Sequence, residues 1–275
     1  PHAELESGEI ACGITRDPTS NVALDPQTGE TRQLDEMPPA AAKAEPTRDI
    51  RPDFYLAADY TVDGQKRTSD YKPRVATDIV GLNVGPDGKI YGTTIISMHI
   101  FCFDPVSRQL QDLGRVGWGG GEIYDVIASE DKVYMGSYSG GYWAAYDPKQ
   151  PWDPQREAGG ISPTANPRCF GELGQDMNRP FEYAIGPDGR IYIACRSNYR
   201  IPGGGLARFD PASEEIRVFR DEEQSFQSMT ADERFVYGGT SISGGRGCVE
   251  TTTEGRLVLF DVDAEARVFE CVPIP

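Results

Sequence analysis

Four stretches of this chain repeat one local pattern: an apolar strand, a tight polar turn, and a second strand closing on Val/Ile-Tyr. They are VGLNVGPDGKIYG (80–92), IYDVIASEDKVYMG (123–136), EYAIGPDGRIYIA (182–194) and QSMTADERFVYGG (227–239). Each is followed by a third strand running into an acidic turn: FCFDP (101–105), WAAYDP (143–148), LARFDP (206–211) and VLFDV (258–262). Successive Tyr91, Tyr134, Tyr192 and Tyr237 stand 43, 58 and 45 residues apart. A unit of roughly 45 residues with loop insertions is the period of a four-stranded propeller blade.

Alternation of β-branched and aromatic residues with polar ones marks half-buried strands, and Asp-Gly at 87–88 and 188–189 supplies the positive φ of a hairpin turn. One meander cannot bury both its faces, so neighbouring meanders must stack and repetition in sequence becomes radial repetition. The pattern predicts an all-β chain, a β-propeller of four-stranded antiparallel blades at 79–113, 122–157, 181–219 and 226–271. ACGITRD and NVALDPQTGETRQL (11–34) supply a half blade, its third and fourth strands, with ALDP in the place of FDP. Residues 35–76, with PPAAAKAEP and YTVDGQKRTSDYKP, are an insertion over the surface. The chain, 1–275, is expected to form a single propeller domain or a piece of one. Seven blades is the first expectation for the intact ring, and a closed five-bladed disc the alternative.

With 27 basic against 43 acidic residues the chain carries −16, which argues against nucleic acid, since phosphate contacts need a basic footprint. No apolar run is long enough to span a membrane as a helix. The six cysteines, Cys12, Cys102, Cys169, Cys195, Cys248 and Cys271, show no CxxC or other metal spacing. GPDGK lacks the ligand ladder of a calcium loop, so neither metal nor cofactor is expected.

An up-and-down blade sorts its connections onto two sides. The turns joining first to second and third to fourth strands share one side; their Asp and Gly serve turn geometry. The connections from second to third strands, and between blades, share the other, and these are long and rich in glycine. They carry His99, Trp118, Tyr138, Tyr142, Arg168, Arg179, Arg196, Tyr199, Arg200 and Arg246. Arginines and aromatics gathered on glycine-rich loops of a rigid scaffold are the form a binding site takes.

The blade phrase GPDGKIYG followed by FCFDP, NPR followed by GELGQDMNRP, and GGTSISGGRG followed by TTTEGRL resemble a group of bacterial and fungal propellers associated with carbohydrate metabolism. That group includes polysaccharide lyases acting on uronic-acid sugars, and the gluconolactonase-like and streptogramin-lyase-like propellers are similar in architecture. The chain departs from the lactonases in lacking their Glu, Asn and Asp metal set. It departs from the oligogalacturonate lyases in having only His2 and His99. The resemblance implies a small-molecule or oligosaccharide ligand and β-elimination across C4 and C5 of a uronide. That reaction needs a carboxylate clamp, a base for the C5 proton and an acid for the leaving oxygen. His99, Tyr138 and Tyr199 are the candidates for base and acid, and Arg179 and Arg196 for the clamp, with Arg168 and Arg246 as further candidates. Trp118, Tyr142, Arg168, Arg200 and Arg246 are candidate ligand contacts. A non-catalytic sugar or small-ligand sensor and a protein-interaction scaffold are the alternatives.

Overall fold

The structure, a computed structural model, describes residues 2–4, 10–14, 17–25, 27–28, 30–34, 48–49, 57–62, 65–68, 78–95, 98–116, 121–155 and 162–274. Among them every regular element is a strand, and they fall into two compact units, Pro1–Pro73 and Arg74–Pro275, where the sequence pattern suggests one.

In the first unit, β1 (His2–Glu4), β2 (Ile10–Ile14), β3 (Asp17–Leu24) and β4 (Thr31–Gln33) form a four-stranded antiparallel sheet in sequence order. The expected half blade is therefore a complete sheet. NVALDP does supply the third strand, but ACGIT is the second, and a three-residue strand precedes it. Strands this short carry too little alternation to be read. Part of the expected insertion forms a separate sheet of three short strands, β5 (Arg48–Asp49), β6 (Ala57–Val62) and β7 (Gln65–Thr68).

The second unit is four antiparallel meanders. The first holds β8 (Ile79–Val84), β9 (Ile90–Thr94), β10 (His99–Asp104) and β11 (Gln109–Arg115). The second holds β12 (Ile123–Ser129), β13 (Lys132–Ser137), β14 (Tyr142–Tyr146) and β15 (Arg168–Glu172). The third holds β16 (Met177–Ile185), β17 (Ile191–Ser197), β18 (Gly204–Phe209) and β19 (Ile216–Asp221). The fourth holds β20 (Ser225–Ala231), β21 (Phe235–Ser241), β22 (Leu257–Asp261) and β23 (Ala266–Cys271). These are the blades of a β-propeller. One boundary moves: the second blade extends beyond 157, because its fourth strand is Arg168–Glu172. Pro148, Pro151 and Pro154 follow β14 and cannot donate to a ladder, so the chain detours before pairing resumes.

The repeat reappears as packing. Tyr91, Tyr134 and Tyr192 occupy matching places in second strands, and each meets an aromatic residue of the next blade. The ring centroids lie 6.0 Å apart for Tyr91–Tyr146, 5.7 Å for Tyr134–Phe209 and 6.0 Å for Tyr192–Phe260. Tyr237 matches them in register but is only half-buried. Trp143, fully buried, fills the space between second and third blades, 4.9 Å from the Tyr183 ring.

A second repeated device ties first strands together. The Met229 N–H donates to Glu182 Oε2 at 2.9 Å, and the Tyr183 N–H lies near enough to the Asp125 carboxylate to favour its charged form. Each carboxylate thus faces the backbone of the following blade. At the matching place in the first blade stands Gly81, where a Cβ would come 2.6 Å from the Asp125 Cα. The Val126 N–H turns instead to Asp125 Oδ1, at 2.8 Å. The acidic turns are structural too: Asp104, Asp210 and Asp261 each accept two backbone N–H bonds from their own turns.

Candidate functional site

Arg179 and Arg196 are direct cross-strand partners on β16 and β17, at the ends that open onto the long-loop side. Two β-bulges in β16, flanking Arg179 and Pro180, make this register, and bulges re-aim side chains. The Arg196 guanidinium lies over the Phe181 ring at 5.2 Å, and its Nη2 donates to Gln227 Oε1 at 3.3 Å. Its Nε is buried and has no hydrogen-bond partner. The Arg179 guanidinium sits 4.0 Å from the centre of the Tyr138 ring, with the Tyr199 phenol close by through its bond to Tyr138.

Those two phenols hydrogen-bond each other. Tyr124, at the start of β12, extends the aromatic surface, with its ring 4.8 Å from Phe181 and its hydroxyl donating to Glu122 Oε2 at 2.9 Å. The ion pairs among the described residues tie up Arg168, Arg190, Arg208, Arg217, Arg220, Arg256 and Arg267 with carboxylates, but not Arg179 or Arg196. Two like charges face each other on adjacent strands in a protein of net charge −16, and among the described residues no carboxylate pairs with either.

Backbone contact holds the loops that frame these groups. Gly140 N–H donates to Asn178 Oδ1 at 2.6 Å, and a Cβ on Gly141, which has φ +60°, would overlap the Met177 carbonyl. The Tyr138 loop of one blade is thereby pressed onto the first strand of the next, bringing Tyr138 to Arg179.

The electrostatics follow from this geometry. Burial lowers the Arg196 pKa, and the Arg179 charge lowers it further. Burial pulls Arg179 in the same direction, but the Tyr124 and Tyr138 oxygens outweigh it and raise its pKa. The Tyr138 pKa is raised by burial and by its bond to Tyr199. That of Tyr199 is lowered, first by the hydrogen bond from Tyr138, then by Arg179 and Arg246. The pair is polarised, with Tyr199 the more acidic phenol.

Of the residues expected at the site, the structure gathers Tyr138, Arg179, Arg196 and Tyr199, with Arg246 at its margin and Arg200 beside it. His99 is elsewhere: its Nδ1 contacts Asp112 on β11 at 2.9 Å, and its backbone exchanges hydrogen bonds with Thr94. Tyr142 faces Glu172, its partner on β15, and packs against the core of the preceding interface. Arg168 is corrected in position. It opens β15 on the acidic-turn side, makes two bonds to Glu214 at 2.7 and 2.6 Å, and lines an open cavity of about 460 Å³ there. The shift follows from the detour before β15, which carries Arg168 to the opposite side of the blade. Trp118 lies outside the described residues. Tyr124, Phe181 and Gln227 were not expected at the site; as strand residues they follow the alternation, and only the bulges turn them toward it.

Among the described residues no group of three or more His, Cys, Asp or Glu could hold a metal ion, and no helix is long and apolar enough to cross a membrane. No family model matches the chain, and no curated protein matches it. Solved structures do. The extracellular domain of BT4673 from B. thetaiotaomicron, described as a one component system, is 11% identical over 97% of this chain and 26% of its own, with a TM-score of 0.44. The Neurospora crassa Pan2 WD40 domain is 9% identical over 70% of this chain and 49% of its own, with a TM-score of 0.47. The tricorn protease is 12% identical over 94% of this chain and 20% of its own, with a TM-score of 0.43. The chain therefore spans about half or less of the length of these structures.

Proposed function

We propose that the long-loop side of the propeller binds a carboxylate-bearing sugar, with Arg179 and Arg196 as the carboxylate clamp. The observation that carries this reading is the facing pair of arginines, neither of which forms an ion pair with a carboxylate among the described residues. A planar carboxylate accepting from both guanidiniums would relieve the repulsion. The rings of Tyr124, Tyr138, Phe181 and Tyr199 offer apolar faces on which a sugar can lie.

A second reading is favoured by the polarised Tyr138–Tyr199 pair: elimination across C4 and C5 of a uronide. Tyr199, the more acidic phenol, would in its ionised form take the C5 proton while the arginines neutralise the enolate. The C5–H electrons then form the C4–C5 double bond, the C4–O bond breaks, and Tyr138 gives its proton to the leaving oxygen.

The product's double bond is conjugated to its carboxylate and absorbs in the ultraviolet, so a panel of acidic glycans screens for turnover while calorimetry screens for binding. Arg179→Ala should weaken binding at least tenfold, and if turnover occurs it should raise KM and lower kcat together. Tyr199→Phe should abolish turnover and leave binding largely intact. Binding without absorbance would leave a sugar sensor; neither binding nor absorbance across the panel would overturn both readings.

A further inference from the structure

Arg179 and Arg196 do not exhaust the unbalanced positive charge on this side. Arg246, in the loop joining β21 to β22, lies close enough to Tyr199 to lower the pKa of its phenol. Arg200 adjoins both, its N–H donating to the Arg246 carbonyl at 3.1 Å. Among the described residues neither takes part in an ion pair, although carboxylates are abundant.

These two arginines are carried on loops locked to each other. Gly245 N–H donates to the Ile201 carbonyl at 2.8 Å, and a Cβ on Gly245 would overlap the Asn198 carbonyl oxygen. A Cβ on Gly244 would come 2.7 Å from the Gly203 nitrogen. The fourth-blade loop is thus laid backbone to backbone on the third-blade loop, which sets Arg246 against the Tyr199 segment. The groups then follow one another along the chain contacts: Arg196 and Arg179, the phenols of Tyr138 and Tyr199, then Arg200 with Arg246, whose loop is locked onto the 198–201 segment that carries Tyr199. A single carboxylate can occupy only the first end. Charge on both sides of a polar, aromatic middle matches a chain that carries an anionic group on consecutive units.

We propose that this side is a groove with two anionic subsites, Arg179 and Arg196 taking the carboxylate of one sugar unit and Arg246 with Arg200 that of the next, with Tyr199 between them. The assignment rests on the carboxylate reading of the preceding subsection and narrows the ligand to a linear oligouronide. The test is calorimetry on the whole protein with a monomeric, a dimeric and a trimeric uronate of one linkage, for wild type and for the Arg246→Ala, Arg246→Glu and Arg179→Ala variants. Arg246 is exposed, and its carbonyl bond to Arg200 survives substitution, so the loop should be retained.

The dimer should bind at least tenfold more tightly than the monomer, and the trimer should add little. Arg246→Ala should remove most of the gain while leaving the monomer within about twofold, Arg246→Glu should penalise the dimer further, and Arg179→Ala should weaken every ligand. A monomer that binds wild type as tightly as the dimer overturns the second subsite alone, as does an Arg246→Ala variant that weakens both equally. A wild-type protein that binds none of the three overturns the carboxylate reading beneath it.

Discussion

Asp125 shows how one residue type does different work at neighbouring positions. Burial, with Glu182 adding to it, pushes its carboxyl up to about 6, even though the N–H groups of Val126 and Tyr183 favour the charged form. The folded state thus holds this proton more tightly than the unfolded chain. The contribution to stability is greatest below about pH 4 and is lost as pH rises through 6, and keeping the charge at pH 7 costs the fold on the order of 3 kcal/mol. Asp125→Asn removes that cost and forfeits about one hydrogen bond, near 1 kcal/mol, so the variant should be about 2 kcal/mol more stable than wild type at pH 7 and no more stable at pH 4. Urea denaturation at the two pH values checks this, and a variant less stable at both would mean that the carboxylate clamp outweighs its desolvation.

At the scale of the element, the unit is the interface between blades, in which a second-strand tyrosine meets a third-strand aromatic residue of the next blade. Its worth can be measured within one molecule, because Tyr192 is fully buried against Phe260 whereas Tyr237, at the same place in its blade, is half-buried. Both hydroxyls donate to the aspartate of their own hairpin, at 3.0 Å for Asp188 and 2.6 Å for Asp232, so the local bond is common to both. Tyr192→Ala should cost about 3–5 kcal/mol, as for a buried aromatic residue, and Tyr237→Ala roughly 1 kcal/mol. Equal losses in chemical denaturation would show that the hairpin bond, rather than packing between blades, is what the repeated tyrosine supplies.

Over the whole molecule, the charge of −16 repels an anionic ligand at long range while the arginine row attracts it on contact. Salt separates the two, because the screening length falls from about 30 Å at 0.01 M to about 8 Å at 0.15 M, and contact pairs are screened far less than distant charge. The association rate of an oligouronide should therefore rise between these salt concentrations, and its dissociation rate should change little. Stopped-flow binding across a salt series checks this; an association rate that falls steadily would show that the local positive field dominates approach as well as contact.

What the residue order determined by itself was whatever depends on neighbours along the chain. Alternation of period two set the strands, Asp-Gly and the acidic turns set the hairpins, and recurrence of Val/Ile-Tyr set the number and order of the four meanders in 79–271. The long-loop residues Tyr138, Arg179, Arg196 and Tyr199 were legible for the same reason, since up-and-down order alone assigns a connection to a side. Tertiary structure decided the rest. Arg168 changed sides because a proline-rich detour delayed β15, and the short strands of the first sheet left too little pattern to read. Tyr124, Phe181 and Gln227 reached the site only through bulges, which are set by pairing with another strand. Charge balance was decided there as well: carboxylates outnumber arginines in the chain, yet which arginines go unpaired depends on distances across blades, and a linear sequence carries no record of those.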